Sequence, residues 1–391
     1  MANSGVVLNG YENADKLPSP SAAQCQTTSV TQPPTESTSI AQETGPSHLP
    51  LIREQLHASG LSQAASDIIL CAWRDGTKKQ YRTYLSKWEN YCNSKGISPV
   101  SAAVAQAINF LAELVKSGVG YSGVNTARSA ISTVLVISDS ATFGTHPLVK
   151  RFLKGVFEQK PSLPRYETIW DVNQVLTHLC SYPSVEDISL KKLTFKVVML
   201  LALLTGQRTQ TLHCLDVNHM DMSDKKCIFY LTSLQKHSRP GKHQKPLELE
   251  AFDHEPNLCV IRHLKAYVDK TSVHRGDTKR NQLLLSFQKP FKPVSKDTIS
   301  RWIKNVMKDA GIDTTKFGAH STRAASTSAA AKAGTPLEVI LESAGWSNCG
   351  TFAKFYQKPI NAPCNFGSVL LKANTVCQAY LLLSLFMNTG L

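Results

Sequence analysis

Near the C-terminus the chain reads Gly318-Ala319-His320-Ser321-Thr322-Arg323, then Gly345-Trp346-Ser347, and then Thr351-Phe352-Ala353-Lys354-Phe355-Tyr356. A histidine, an arginine, an indole and a phenol therefore follow one another in this order. Another candidate arginine, Arg208, lies far upstream. Together these side chains are the groups needed to break a phosphodiester bond without a metal ion.

The chemistry assigns a task to each group. Attack on a phosphodiester adds negative charge to the non-bridging oxygens, so the reaction needs fixed cationic donors, and Arg208 and Arg323 can supply them. The phenol of Tyr356 can be the nucleophile if a neighbour takes its proton, because a free phenol titrates near about pH 10. His320 is the candidate acceptor, and a lysine is the candidate proton donor to the leaving 5′ oxygen. A phosphotyrosine keeps the bond energy, so we expect no ATP, metal or other cofactor.

At these residues the chain resembles the tyrosine recombinase, or phage integrase, family, whose members cut, exchange and reseal DNA strands. The resemblance covers about residues 60 to 373. The sequence is especially similar to recombinases of eukaryotic DIRS-like retrotransposons and Cryptons. It rests on the following segments: Leu204-Thr205-Gly206-Gln207-Arg208, Ser238-Arg239-Pro240-Gly241, His320-Ser321-Thr322-Arg323, Ala344-Gly345-Trp346-Ser347 and Tyr356.

The resemblance implies roles for single residues. Tyr356 is the nucleophile, and Arg208 and Arg323 bind the scissile phosphate. His320 assists proton transfer, and Trp346 donates its indole N–H or packs the pocket. The hairpin from Leu234 to Gly241 looks like the segment that carries the family's lysine, which makes Lys236 the candidate general acid, with Lys242 and Lys245 on the same hairpin as alternatives.

One position departs from the pattern of many prokaryotic family members. They have an acidic residue three positions after the first arginine, whereas this chain has Thr211 there. The orientation of Arg208 must therefore come from another group.

The family also implies a fold and an assembly. We expect a mainly α protein, with an N-terminal all-helical core-binding (SAM-like) domain and an α+β catalytic domain that contains a small antiparallel sheet. The implied partner is double-stranded DNA, bound by a homotetramer, with a monomer or weak dimer when the protein is free.

The net charge favours a polyanionic partner. The chain holds 43 Lys and Arg against 29 Asp and Glu, a formal net charge of +14, and its pI is about 9.3. Residues 1–50 carry a net charge of −3, so residues 51–391 carry +17. Such a surplus predicts salt-sensitive DNA binding, because neutralised phosphates release counterions.

Composition and periodicity divide the chain into segments. Residues 1–58 are rich in Ser, Thr, Gln and Pro and are predicted to be a disordered tail. Residues 59–160 show helical apolar spacing and are predicted to be the helical domain, with Thr77 as the N-cap of one helix. Residues 161–170 are the predicted linker and 171–373 the catalytic domain, and 374–391 form an atypical apolar tail too short for a secure membrane span.

Basic residues outside the catalytic set are candidates for contacts with DNA phosphates, although a solvated surface is the plainer interpretation of any one of them. They lie in the helical domain, the linker and the predicted helix over 295–310, namely Lys78, Lys79, Arg82, Lys160, Arg165, Arg301 and Lys304.

The cysteines and targeting signals bear on location. Ten scattered cysteines without a Cys-x-x-Cys pair favour reduced thiols of an intracellular protein, with a zinc site at His213 and Cys214 as the alternative. The first residues lack a signal-peptide pattern. We expect a nuclear protein because of the DNA substrate, no membrane association, and either a gene-model artefact or a partner-docking helix at residues 374–391.

Two other functions use similar residues. One is a catalytically silent DNA-binding protein derived from a recombinase. The other is a type IB topoisomerase-like enzyme, which shares the chemistry but lets the DNA swivel instead of exchanging strands.

Overall fold

A computed structural model describes residues 49–360, except 139–140, 162–165, 237, 242–244 and 276–280. The chain divides into two compact units, an N-terminal unit that ends at Ser162 and a C-terminal unit that begins at Leu163. Each unit has its own apolar core. None of the helices within the described ranges has the length and apolar character needed to cross a bilayer. The predicted linker lies partly, and the tail 374–391 wholly, outside the described residues.

The N-terminal unit packs short helices around a tryptophan. Trp88 is fully buried, and its ring meets the edge of Phe110 with 5.3 Å between centroids. Its indole N–H donates to the Pro99 carbonyl oxygen at 2.9 Å. The helices and strands of this unit are α1 (Pro50–Ala58), α2 (Gln63–Cys71), α3 (Asp75–Lys95), α4 (Val104–Lys116), α5 (Tyr121–Ile131), β1 (Val136–Ser138), β2 (Ala141–Thr142) and α6 (Pro147–Gln159).

The predicted disordered tail is wrong for its last residues. Residues 50–58 form α1, and Leu51 and Ile52 are buried in the core of the N-terminal unit. Pro50 occupies the first turn, where its missing N–H costs no hydrogen bond. A helix of nine residues is unstable alone, so burial against the core is what stabilises it.

Two smaller expectations for this unit also need correction. Helix α3 begins at Asp75, with Arg74 as the N-cap, so Thr77 lies inside the first turn instead of capping it. The negative side chain of Asp75 suits the positive N-terminal end of the helix dipole. The unit is not wholly helical, because β1 and β2 pair antiparallel, with Val136 opposite Thr142.

The C-terminal unit surrounds one buried helix. Helix α8 is buried along nearly its whole length, and α9, α10, α11 and α12 pack on it. The buried residues of α8 are not confined to one side of the helix, which is typical of a helix enclosed by others. The helices of this unit are α7 (Val172–Cys180), α8 (Leu190–Thr205), α9 (Thr209–His213), α10 (Val260–Ser272), α11 (Lys296–Asp309), α12 (Ser321–Lys332), α13 (Leu337–Ala344) and α14 (Cys349–Phe355).

A small antiparallel sheet completes this unit, in the order β3 (Met220–Met222), β4 (Lys226–Phe229) and β5 (Leu247–Glu250). Cys227 pairs with Leu249, and Phe229 pairs with Leu247, so the buried residues of β4 and β5 share one face. The segment between β4 and β5 carries Lys236. The predicted fold class, mainly α with a small antiparallel sheet, is confirmed.

We predict that Trp88→Ala destabilises the N-terminal unit by about 3–5 kcal/mol, because it leaves a cavity in the core. Hydrogen exchange on the full chain should show faster exchange in α3 and α5 and unchanged protection in α8. Trp73→Ala is the control, since Trp73 is only partly buried. Equal loss of protection in α8 and α3 would contradict the separate cores.

Candidate active site

The start of helix α12 places His320 and Arg323. His320 is the residue before the helix, and Arg323 lies in its first turn. The Ser321 hydroxyl donates to the Gly318 carbonyl oxygen at 2.7 Å and accepts the indole N–H of Trp170 at 2.9 Å. These buried bonds fix the end of the helix from which both candidate residues project.

The guanidinium of Arg323 is buried at a junction of helix ends. Its side chain is 1% exposed, and its Nη1 donates to the Gly206 carbonyl oxygen at 2.8 Å. Its Nη2 donates to the carbonyl oxygen of Ala344, the last residue of α13. Gly206 and Gly345 end α8 and α13 in the left-handed conformation, at φ 58° and 65°. The negative ends of both helices therefore face this cation.

The charge of Arg323 survives its burial. The pKa of Arg323 is lowered to about 9, chiefly by burial and also by the charge of Arg208, while Tyr356 raises it. The guanidinium is still protonated at neutral pH. Its carbon lies 5.3 Å from the centre of the Tyr356 ring, so a fixed positive charge lies next to the phenol.

Trp346 packs on the same cation. The guanidinium carbon of Arg323 lies 4.2 Å from the centre of the indole ring, within the range of a cation–π contact. The Nε of Arg323 and the Nε1 of Trp346 are both buried, and neither has an acceptor among the described residues. Buried donors without acceptors are rare in folded proteins. The pair is therefore ready to receive an external acceptor.

Helix α14 brings Tyr356 to this cluster. The phenol oxygen lies 3.1 Å from Nε2 of His320, and the phenol ring lies 4.4 Å from the Trp346 ring, centre to centre. The Ser328 hydroxyl, on α12, donates to the Tyr356 carbonyl oxygen at 2.8 Å and accepts the Lys358 N–H at 3.0 Å. His320 thus contacts the phenol oxygen of Tyr356, and Ser328 holds the backbone of Tyr356 and Lys358.

Burial and nearby charges both lower the pKa of His320. Although part of the residue is exposed, surrounding protein atoms desolvate the ring, and this lowers the pKa of His320 below 6.5. The charges of Arg323, Arg208 and Lys236 lower the pKa further. A neutral imidazole with Nε2 unprotonated can accept the proton of Tyr356.

Arg208 and Lys236 approach from two other segments. Arg208 precedes α9 and is half-buried, and Lys236 is exposed in the connection between β4 and β5. The described part of the chain provides no hydrogen bond or ion pair to either cation. Lys245 forms an ion pair with Glu342, and Lys242 lies outside the described residues.

Residues 171–360 match the model of the phage integrase family. They form a phage integrase family domain. Comparison with curated proteins returned no match.

Solved structures share the fold of this chain, at low sequence identity. The post-cleavage complex of the XerH site-specific recombinase with its palindromic difH substrate is 12% identical, with a TM-score of 0.51, covering 79% of this chain and 90% of that one. The XerH pre-cleavage complex with difH is 12% identical, with a TM-score of 0.50, covering 83% and 95%. The Tn1549 transposon integrase with transposon right-end DNA is 14% identical, with a TM-score of 0.48, covering 84% and 99%.

The predicted phosphate contacts lie in several places. Within the phage integrase domain, Arg301 and Lys304 are exposed on α11. In the N-terminal unit Lys79 and Arg82 are exposed, Lys78 is half-buried, and Lys160 donates to the Val115 carbonyl oxygen at 3.2 Å. Arg165 lies outside the described residues. All of them stay predictions.

The cysteines and the zinc alternative can be placed too. Seven cysteines of the described chain are free thiols. In these residues no group of three or more His, Cys, Asp or Glu side chains is arranged to hold a metal ion, at His213 and Cys214 or elsewhere.

Sequence reasoning missed the residues that position the candidate groups. Ser328 was not singled out, because one serine in an alanine-rich helix gives no signal. Gln207 and Gln235 are the sequence neighbours of Arg208 and Lys236, and a glutamine beside a basic residue gives no signal of its own. The one available signal was Thr211, whose departure from the family pattern called for a substitute.

We predict that the pKa of His320 in the folded protein lies below 6.5 and rises in Lys236→Ala, because one nearby positive charge is removed. Titration of labelled histidine by NMR measures both values. Lys225→Ala is the control, since Lys225 pairs with Asp253 and does not act on the His320 ring. A His320 pKa above 6.5 in the unmodified protein would contradict the electrostatic description.

We predict that Ser328→Ala destabilises the C-terminal unit by about 1–3 kcal/mol, because it leaves the Tyr356 carbonyl and the Lys358 N–H unpaired. Exchange of the Lys358 amide hydrogen should accelerate. Ser326→Ala is the matched control on the same helix, because within the described residues the Ser326 hydroxyl bonds only to the Arg323 carbonyl oxygen, at 3.3 Å. Equal effects of the two substitutions would argue against this anchor.

Proposed function

We propose that this protein is a site-specific DNA recombinase, or integrase, that cleaves and rejoins DNA strands through a 3′-phosphotyrosine. One observation carries the proposal. Two buried donors without acceptors among the described residues, Arg323 Nε and Trp346 Nε1, lie beside a phenol whose oxygen is 3.1 Å from Nε2 of His320, and the pKa of that histidine is lowered. A non-bridging phosphate oxygen is an acceptor that would satisfy such donors, and the phenol is then beside the phosphorus.

The proposed cleavage step balances as follows. The Tyr356 oxygen attacks phosphorus as its proton passes to Nε2 of His320. The bond from phosphorus to the 5′ oxygen breaks, and that oxygen takes a proton from Lys236. Arg208 and Arg323 stabilise the added charge on the non-bridging oxygens. The 5′ hydroxyl of another strand then attacks the phosphotyrosine, and the same proton transfers run in reverse.

The choice of Lys236 rests on charge and on pairing. The charge of Lys236 acts on His320, whereas the ammonium of Lys245 is paired with Glu342. An ammonium held by a carboxylate must leave that ion pair before it can reach the leaving oxygen. Lys236 is therefore the better candidate of these two for the general acid.

DNA is the proposed partner. The charge of +17 over residues 51–391 supports it, as do the XerH structures, which hold the difH substrate before and after cleavage. The family resemblance supports a homotetramer on DNA. A transposon origin close to DIRS-like and Crypton recombinases, and residence in the nucleus, are further parts of the proposal that rest on the sequence motifs.

The test is capture of the covalent intermediate. A pool of nicked duplexes with randomised sequence is incubated with the protein, denatured in detergent, and searched for DNA bound to protein. A nick next to the cleavage site makes the fragment with the free 5′ hydroxyl short. This fragment diffuses away and cannot reverse the reaction, so the adduct accumulates. We predict adducts with the unmodified protein and none with Tyr356→Phe. Arg208→Ala should lower the rate of adduct formation by about 100-fold to 1000-fold.

Tyr230→Phe is the control for accidental reaction, because Tyr230 is an exposed phenol in the same unit. Its adducts should equal those of the unmodified protein. DNA binding without any adduct would instead support the silent binding protein. Relaxation of supercoiled DNA by a monomer would support the topoisomerase.

A further inference from the structure

The group that replaces the missing acidic residue is a buried polar network. Thr211 is 2% exposed, and its hydroxyl lies 3.2 Å from Oε1 of Gln207 and 3.1 Å from Oε1 of Gln235. Gln207 and Gln235 are 9% and 1% exposed. Three neutral polar side chains therefore meet at the position where the family pattern has a charge.

Further hydrogen bonds fix both amides. Nε2 of Gln207 donates to the Ser343 carbonyl oxygen at 2.6 Å, and Nε2 of Gln235 donates to the Ser233 carbonyl oxygen at 3.1 Å. Both amide oxygens must then face the Thr211 hydroxyl. A hydroxyl has one proton, so it donates to one of the two oxygens at a time.

The network joins the segments of the two free cations. The Thr211 N–H donates to the Arg208 carbonyl oxygen at 2.8 Å, and the Thr211 side chain bonds to Gln235, the neighbour of Lys236. Gln235 and Ser238 close the turn around Lys236, because the Gln235 N–H donates to the Ser238 hydroxyl at 2.8 Å and the Ser238 N–H donates to the Gln235 carbonyl oxygen at 2.9 Å.

Lys236 depends on this anchor. Its side chain is exposed, long and flexible, and in the described chain nothing binds its ammonium. The region that the ammonium can reach is therefore set by the position of the Lys236 backbone. Among the described residues of this segment, Gln235 is buried and ties the backbone beside Lys236 to Thr211.

We infer that Gln235, held by Thr211 and Gln207, is a positioning residue that places Lys236 to protonate the leaving 5′ oxygen. The inference rests on the proposed recombinase function. The network is neutral, so it fixes the backbone beside Lys236 without adding a charge to the site. The purely structural alternative is that the network only stabilises packing, and it makes a different prediction.

The experiment compares two substrates of one sequence, chosen from the nicked duplexes that form adducts. One has oxygen and the other sulfur at the 5′ bridging position of the scissile phosphate. Sulfur leaves as a thiolate without needing a proton, because thiols titrate near about 8.5 and alcohols far higher. A variant that fails only to position the general acid is therefore slow on oxygen and normal on sulfur.

We expect Gln235→Leu and Thr211→Val to cleave the oxygen substrate at least tenfold more slowly, like Lys236→Ala, and to cleave the sulfur substrate at the unmodified rate. Thr211→Ser keeps the hydroxyl and should cleave both substrates normally. Gln288→Leu is the matched control, because Gln288 is exposed in the same unit. The Thr211→Val and Thr211→Ser pair keeps the test valid if Gln235→Leu does not fold.

Other outcomes separate the two proposals. If no nicked duplex forms an adduct with the unmodified protein, no substrate can be chosen, the recombinase function itself is overturned, and the role of Gln235 falls with it. If the unmodified protein cleaves both and the Gln235→Leu and Thr211→Val variants are equally slow on both, or unchanged on both, only the positioning role is overturned.

Discussion

The buried guanidinium of Arg323 is the interaction on which the candidate site depends. Its two terminal nitrogens bind carbonyl oxygens at the ends of α8 and α13, and its plane lies under the indole of Trp346. A buried cation is costly unless hydrogen bonds and opposing charge compensate it, and here two helix C-termini do so. The same contacts that stabilise the charge also fix where α8 and α13 end.

The position of the other groups follows from those helix ends. Gly206 turns the chain out of α8 two residues before Arg208, and Gly345 turns it out of α13 directly before Trp346. Tyr356 is then brought back onto α12 by Ser328. The site is thus assembled at the ends of helices, where backbone groups lack partners within the helix. The chain changes direction there, which brings together side chains that are far apart in the sequence.

The electrostatics of the cluster come from an imbalance of charge. The charges of Arg323, Arg208 and Lys236 all act on His320. Burial and these charges lower the pKa of His320, and the buried donors Arg323 Nε and Trp346 Nε1 have no acceptor among the described residues. Both effects are costly to the protein alone, and both are relieved by a bound polyanion such as a phosphodiester.

The sequence by itself determined the fold class and the set of candidate groups. Helical spacing, the apolar run of α8 and the order of His320, Arg323, Trp346 and Tyr356 are local properties that folding does not alter. The prediction of disorder from the sequence was wrong for residues 50–58, because a short helix is stable only through burial that local composition does not reveal.

Only the tertiary structure decided which residues hold the site together. The partners of Arg323 are backbone carbonyls, which every residue has. The buried network joins Gln235 to Thr211, 24 positions earlier in the chain. The contact of Ser328 with the end of α14 crosses a similar distance. Contacts of this kind depend on where helices and turns pack, and packing is set by the shape of the whole core and not by any one segment.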